Sequence, residues 1–256
     1  VSTQSTGGFR CQTVQLNSSQ LHLFENTKIS SDKMVYIVHG GGFVLGYCDY
    51  YRKLAVQYSD RLKAHVACID YRVGLRHPTA LDDVEEGWRW LANKYGAQNV
   101  VLHGDSVGGQ LALALLLKLQ KAKQSLPRAV VTLSAVTQFA HPLPSRAYNK
   151  LHDPNFGVAR EEEELKINDM PYFRGCDLAD PLVSPLNGDY SVPLPPTLMI
   201  VGSLEVLESD SVEFAGKFGA KLRVFKDMFH VFQLAPYLPE SRQSLKEVAE
   251  FLDSVQ

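Results

Sequence analysis

The sequence lacks any run of about 18 apolar residues and lacks the short apolar segment of a signal peptide. We therefore expect no stable insertion into a membrane. Internal repeats and low-complexity tracts are also missing. The composition, 45% hydrophobic and 21% charged, is that of an ordinary globular protein with one substantial core.

An excess of charge is missing as well. The formal net charge is −2, which gives no electrostatic reason to expect nucleic acid or an anionic membrane as a partner. The four cysteines are scattered and have neither a CxxC motif nor another metal-ligand spacing. No metal site is therefore predicted, and the scattered cysteines predict a reducing, cytoplasmic location.

What the sequence does have is an alternation of strands and helices. Continuous apolar runs predict buried strands, and amphipathic runs between them predict helices, so we expect an α/β fold. An edge strand or hairpin is predicted at 11–23, after a frayed segment 1–8. The predicted strands are 34–38, 65–71, 100–102, 128–133, 197–201 and 221–225, and the predicted helices are 50–62, 82–95, 110–123, 210–218 and 240–255.

One segment interrupts this alternation. Residues 134–186 carry six prolines and an acidic run, with a short helix predicted at 160–167. Long irregular segments in α/β domains are often lids or binding loops. We expect one domain over 1–256, with 134–186 as a lid or insert.

The string Gly-Asp-Ser-Val-Gly connects a predicted strand to a predicted helix, with Ser106 at its centre. Strand, tight turn and helix form the setting of a nucleophile elbow, in which flanking glycines let the backbone pass without clashes. A Gly-rich turn of any α/β protein would look similar. The motif alone leaves catalysis and a simple turn about equally supported.

A second string, His-Gly-Gly-Gly-Phe, follows the strand 34–38 directly. Three glycines allow the backbone to double back and present its N–H groups, which acyl transfer needs for the oxyanion of the tetrahedral intermediate. We predict that the amides of Gly40, Gly41 and Val107 form this oxyanion hole. Phe43 and Tyr47, which follow the glycines, are predicted to contact the substrate.

The partners of Ser106 follow from chain order. In an α/β hydrolase, serine, acid and histidine occur in that order, each in a loop after a strand. His230 follows the strand 221–225 and is the predicted base, while Glu205 comes first in the loop after the strand 197–201 and is the predicted acid. Glu208 and Asp210 are alternatives, but they fall on or near the next helix.

Together these residues predict a mechanism without a metal or an organic cofactor. His230 takes the proton of Ser106 as the hydroxyl attacks an acyl carbon, and Glu205 orients the imidazole. Water then hydrolyses the acyl-enzyme.

The strings HGGGF, GDSVGG, GSLEVLESD and MFHVF resemble those of hormone-sensitive-lipase-like esterases, bacterial family IV of the α/β hydrolases. The resemblance runs from about Met34 onward. It implies a mostly parallel central sheet with helices on both faces, a carboxylesterase acting on short- to medium-chain acyl esters, and the same triad. It also implies that a homodimer or higher homo-oligomer can form.

Two departures from this family concern the substrate pocket. Members usually carry a helical cap before the oxyanion motif, yet 38 residues precede His39, and YRVGLRHPTALDD lacks the family's usual Pro-Glu. We therefore expect a reduced or rearranged cap and a more open acyl site, which is only partly covered by 134–186 or by a neighbouring subunit. An amidase or arylformamidase with the same triad, and a non-catalytic binding protein like the gibberellin receptors, are the alternative functions.

Overall fold

A mixed sheet is the centre of the fold, which the computed structural model describes for residues 3–6, 8–156, 170–190 and 192–255. The order of the nine strands in these residues is β1-β2-β3-β5-β4-β6-β7-β8-β9. The strands are β1 (Thr3–Thr6), β2 (Phe9–Gln15), β3 (Gln20–Asn26), β4 (Met34–Val38), β5 (His65–Asp70), β6 (Val100–Asp105), β7 (Ala129–Leu133), β8 (Thr197–Gly202) and β9 (Lys221–Phe225).

The direction of the strands places the loops that matter. β1, β2 and β3 are antiparallel and pair with β5 through β3, whereas β5, β4, β6, β7, β8 and β9 run parallel to one another. The carboxyl ends of these parallel strands meet at one edge of the sheet, where open α/β sheets bind their ligands. Side chains in the loops after β4, β6, β8 and β9 can therefore converge there.

Helices cover both faces of the sheet because the parallel strands are apolar on both sides. Met34, Tyr36 and Val38 of β4 pack in one buried cluster, which includes residues of α2, α3 and α5. Val35 and Ile37 pack in the other cluster, which includes residues of α1 and α6. The helices are α1 (Asp49–Leu62), α2 (Thr79–Tyr95), α3 (Val107–Lys121), α4 (Ser145–Tyr148), α5 (Glu208–Phe218) and α6 (Pro239–Ser254).

The predicted fold class is confirmed, and the hairpin predicted at 11–23 is formed by β2 and β3. It is not at the edge of the described sheet, because β1 pairs with β2 on the outer side. Two helices begin three residues before their predicted starts, α2 at Thr79 and α3 at Val107. The frayed segment predicted at 1–8 is wrong for β1, whose backbone pairs with β2. The helix predicted at 160–167 lies outside the described residues.

The described part of 134–186 is mostly irregular, as expected, and contains α4 and two single-turn 3₁₀ helices, Pro171–Phe173 and Pro185–Asn187. Its C-terminal part packs against the core through Tyr172 and Val183, both buried. Within the described ranges, no helix is both long and apolar enough to cross a membrane.

Candidate active site

Ser106 lies in the sharp turn between β6 and α3, with φ 53° and ψ −123°. Such backbone angles are unfavourable for a residue with a side chain and recur at functional sites. The turn is possible because of its glycines. A Cβ atom at Gly104 would lie 2.3 Å from the carbonyl oxygen of Gly108, and one at Gly108 would lie 2.1 Å from that of Val38. The sequence pattern therefore has a steric cause.

The structure brings the three predicted triad residues into one hydrogen-bonded chain. His230 Nε2 lies 3.0 Å from Ser106 Oγ, and His230 Nδ1 lies 2.9 Å from Glu205 Oε2. All three side chains are buried. Because a carboxylate only accepts hydrogen bonds, Nδ1 carries a proton toward Glu205 and Nε2 is free to accept the serine proton.

Glu205 is held in place from several directions. Its Oε1 accepts hydrogen bonds from the Ser134 hydroxyl at 2.8 Å and from the Gly202 amide at 2.6 Å. The Asn149 side chain donates to the backbone carbonyl of Glu205 at 2.8 Å. These contacts leave Oε2 to His230 and fix the plane of the carboxylate.

The two alternative acids are engaged elsewhere. Asp210 is fully buried and binds the Arg146 guanidinium at 2.9 Å and the Thr137 amide at 2.7 Å. Glu208 accepts a hydrogen bond from the Tyr148 hydroxyl. Of the three candidate acids, Glu205 is the one that contacts His230.

The glycine loop after β4 lies against the nucleophile, but one of its predicted donors is wrong. A Cβ atom at Gly40 would lie 3.1 Å from Cβ of Ser106, so the two segments touch. The Gly40 amide, however, donates to the Tyr51 hydroxyl at 2.9 Å, and this bond removes it from the set of oxyanion donors. The amides of Gly41, Gly42 and Val107 donate to no acceptor among the described residues.

Gly42 is therefore the donor that the sequence prediction missed. Gly41 and Gly42 both have positive φ, 108° and 63°, as a backbone that doubles back requires. The three consecutive glycines gave the sequence prediction no means of deciding which two amides stay open. That choice depends on Tyr51, which lies in α1 and is brought back to the loop by the fold.

The two predicted substrate contacts have different outcomes. The Phe43 ring is 1% exposed and stacks on Tyr172 with 3.6 Å between ring centroids, so the prediction that it touches substrate is wrong. Its ring packs in the core instead, because the insert covers it. Tyr47 is half-buried and stacks on His22, and its contact with substrate stays a prediction.

Two buried ionisable groups, Asp105 and His39, lie beside the site, and burial shifts the pKa of each in the direction that favours its neutral form. Burial raises the pKa of the Asp105 carboxyl to about 6, although the hydrogen bond from Tyr51 opposes the rise. Burial lowers the pKa of His39 to about 4, so its imidazole is neutral at pH 7. His39 Nδ1 donates to the Gly40 carbonyl at 2.7 Å, and its ring stacks on Tyr71. This histidine therefore supports the loop.

The insert also contacts the base. The Phe156 ring stands edge-on to His230 with 4.8 Å between ring centroids, and 54% of Phe156 is exposed. Asp153 accepts a hydrogen bond from the Val206 amide at 2.8 Å, which joins the insert to the loop that carries Glu205. These described residues lie beside the site; the predicted role of 134–186 as a lid stays a prediction.

Comparison with known proteins agrees with this geometry. The family model of the alpha/beta hydrolase fold matches residues 34–234. An esterase of Acinetobacter venetianus is 29% identical over 237 residues, 88% of this chain and 76% of that protein. The carboxylesterase/phospholipase LipF of Mycobacterium tuberculosis is 33% identical over 242 residues, 86% of this chain and 61% of LipF. The crystal structure of an esterase from the bacterial hormone-sensitive lipase family has a TM-score of 0.86 at 30% identity, covering 98% of this chain and 86% of that one.

The fold, the serine in its strained turn and the matched family model together define the class: this chain belongs to the α/β-hydrolase family. Within that family it belongs to the hormone-sensitive-lipase-like esterases, so the resemblance seen in the sequence motifs is confirmed.

Proposed function

We propose that the chain is a serine carboxylesterase that hydrolyses short- to medium-chain acyl esters through an acyl-enzyme. The observation that carries this proposal is the chain of hydrogen bonds from Ser106 through His230 to Glu205, 3.0 Å and 2.9 Å long. A hydroxyl, an imidazole and a carboxylate at these distances make an activated nucleophile. LipF, which is named a carboxylesterase, supports the ester as the substrate class.

The chemistry follows from the residues in place. As Ser106 Oγ bonds to the acyl carbon, its proton passes to His230 Nε2, and Glu205 stabilises the resulting imidazolium. The carbonyl oxygen becomes an oxyanion, which we assign to the amides of Gly41, Gly42 and Val107. The N-terminus of α3, which begins directly after Ser106, adds a favourable dipole. His230 then protonates the departing alkoxide.

Deacylation uses the same groups in reverse. His230 removes a proton from water, the hydroxide oxygen bonds to the acyl carbon, and the carboxylic acid leaves as Ser106 regains its proton. Substitution of the base would abolish both half-reactions. A non-catalytic binding protein would have no need of an imidazole 3.0 Å from the serine, and this contact favours the enzyme.

The test compares wild type with Ser106→Ala on p-nitrophenyl esters from acetate to dodecanoate, with fluorophosphonate labelling in parallel. We expect kcat to fall by at least about 10⁴-fold in the variant and the label to attach to Ser106 alone. Ser211→Ala is the matched control, since this buried hydroxyl has no partner among the described residues. Absence of turnover and of labelling in folded wild type would contradict the proposal, and labelling without ester turnover would favour an amide substrate. A cytoplasmic location and assembly into homodimers remain predictions from the sequence.

A further inference from the structure

Two tyrosine hydroxyls hydrogen-bond to the backbone of the glycine loop that carries the oxyanion donors, at the consecutive residues His39 and Gly40. The Tyr71 hydroxyl donates to the His39 carbonyl at 2.9 Å, and the Tyr51 hydroxyl accepts the Gly40 amide at 2.9 Å. Three consecutive glycines have unusual conformational freedom, so such a loop holds one shape only when its surroundings fix it. These two hydroxyls are side-chain contacts that do so.

The Tyr51 hydroxyl is also hydrogen-bonded to Asp105, the residue before the nucleophile. The Tyr51 hydroxyl donates to Asp105 Oδ2 at 2.9 Å while it accepts from Gly40, so its single proton is committed to the carboxylate. Both residues are buried, at 7% and 4% exposure. A Cβ atom at Gly40 would lie 2.4 Å from Asp105 Oδ2, which shows how closely the carboxylate approaches the loop.

We infer that Asp105 and Tyr51 are positioning residues for the oxyanion hole. The carboxylate orients the tyrosine hydroxyl, the hydroxyl fixes the Gly40 peptide, and the fixed peptide aims the next two amides, those of Gly41 and Gly42. We call this series of hydrogen bonds, from Asp105 through Tyr51 to the Gly40 peptide, the relay. The distance between nucleophile and oxyanion donors is thereby set by hydrogen bonds in addition to backbone packing.

This inference rests on the proposed function and predicts a particular kinetic pattern. An oxyanion donor acts on the charge that develops in the transition state, so a displaced donor lowers kcat and leaves ground-state binding nearly unchanged. A general loss of structure would change KM and thermal stability as well. The two kinds of effect can therefore be separated.

The experiment compares Tyr51→Phe with Tyr50→Phe. Tyr50 is the adjacent residue, its ring stands edge-on to Tyr51, and its buried hydroxyl has no partner among the described residues. Substrate kinetics use p-nitrophenyl butyrate. Affinity is measured with an alkyl trifluoromethyl ketone, whose carbonyl carbon bonds to Ser106 Oγ while the serine proton moves to His230 and the carbonyl oxygen becomes an oxyanion.

For Tyr51→Phe we expect kcat to fall by about tenfold or more, KM to stay within about twofold, and ketone affinity to fall by the same factor as kcat/KM. Tyr50→Phe should match wild type in all three. Asp105→Asn keeps an acceptor for the Tyr51 hydroxyl and should retain more activity than Asp105→Ala. The double variant Tyr51→Phe/Asp105→Ala should lose no more than the larger single loss.

The outcomes separate the two proposals. If wild type turns over the ester but Tyr51→Phe matches Tyr50→Phe in kcat and ketone affinity, the relay is overturned and the esterase stands. A loss of kcat in Tyr51→Phe with unchanged ketone affinity overturns the relay as well. If folded wild type neither turns over esters nor binds the ketone, the proposed function fails and the relay fails with it.

Discussion

The Ser134 hydroxyl joins two of the loops that carry the site. It donates to Glu205 Oε1 at 2.8 Å and accepts the Val231 amide at 3.0 Å, one residue after His230. Its backbone has a positive φ of 50°. Ser134 therefore fixes the acid and the base relative to each other.

We predict that Ser134→Ala lowers kcat by about 10- to 100-fold, because a hydrogen bond to a charged group is worth about 1.5–3 kcal/mol. Steady-state kinetics with p-nitrophenyl butyrate measure this loss. Thr132→Val is the matched control, since this buried hydroxyl in β7 has no partner among the described residues. Equal kcat in the two variants would contradict the role assigned to Ser134.

His103 is predicted to make the protein sensitive to acid. Burial lowers the pKa of its imidazole from 6.5 to about 3, whereas the unfolded chain keeps the ordinary value. The unfolded state therefore takes up a proton first as pH falls below 6.5, and stability is lost in that direction. Between pH 7.5 and pH 5 this residue should lower the free energy of unfolding by about 2 kcal/mol.

Urea unfolding of wild type and His103→Gln at the two pH values tests this prediction. The decrease between pH 7.5 and pH 5 should be about 2 kcal/mol smaller in the variant. His141→Gln, at an exposed position, should behave as wild type. An unchanged pH dependence in His103→Gln would contradict the assignment.

At the scale of residues, the sequence predicted which side chains meet but not what holds them. Chain order was sufficient to select Ser106, Glu205 and His230, since each follows a strand. Gly40 and Phe43 were misassigned, because side chains of other elements contact them: Tyr51 of α1, 11 residues after Gly40, and Tyr172 of the insert. Contacts between separate elements leave no local pattern in a single sequence.

At the scale of elements, the first turn of α3 lies so close to β4 that only glycine fits. A Cβ atom at Gly108 would lie 2.1 Å from the Val38 carbonyl oxygen and 2.5 Å from that of His39. Both are backbone atoms, which cannot move without shifting β4 or α3. The position of the nucleophile therefore depends on this contact.

We predict that Gly108→Ala destabilises the protein by about 3 kcal/mol and displaces Ser106, with loss of most ester turnover. Gly216→Ala in α5 is the opposite case, since a Cβ atom there meets nothing within 4 Å. It should stabilise by up to about 1 kcal/mol, because alanine favours a helix. Chemical denaturation of both variants measures the difference, and equal signs would contradict the steric argument.

The elements themselves were predictable where burial dominates. Strands such as Met34–Val38 are apolar on both faces, so their sequence is a continuous apolar run. The start of α3 could not be predicted in this way, because glycine is a poor helix former. Gly108 is present in the first turn because β4 leaves no room there for a side chain. The helix starts at Val107 since tertiary packing outweighs propensity there.

At the scale of the whole molecule, an ion pair between partly exposed Arg146 and buried Asp210 joins the insert to α5. Arg146 at the start of α4 donates to Asp210 Oδ2 at 2.9 Å, and burial raises the pKa of that carboxyl while Arg146 opposes the rise. Arg146 also donates to the Gln138 carbonyl. The Arg146 guanidinium therefore connects Gln138 and α4 of the insert to Asp210 of α5.

We predict that Arg146→Gln destabilises the protein by about 2–4 kcal/mol, because it leaves the Asp210 carboxylate buried without a cation. Limited proteolysis should cut between 138 and 152 sooner than in wild type. Arg89→Gln removes an exposed ion pair with Glu85 and should change stability by less than about 1 kcal/mol. Equal thermal stability of the two variants would contradict the stabilising role assigned to the ion pair between Arg146 and Asp210.

Four neighbouring strands each contribute one residue to the site at their carboxyl ends: Ser106 after β6, Ser134 after β7, Glu205 after β8 and His230 after β9. Their order across the sheet is also their order of synthesis. The imidazole leaves the ribosome 124 residues after the serine hydroxyl, which at roughly 5–20 residues per second is a delay of roughly 6–25 s. A nascent chain that has exposed its serine still lacks the base, so we expect hydrolysis of esters to begin only after β9 and the loop that carries His230 have folded onto the sheet.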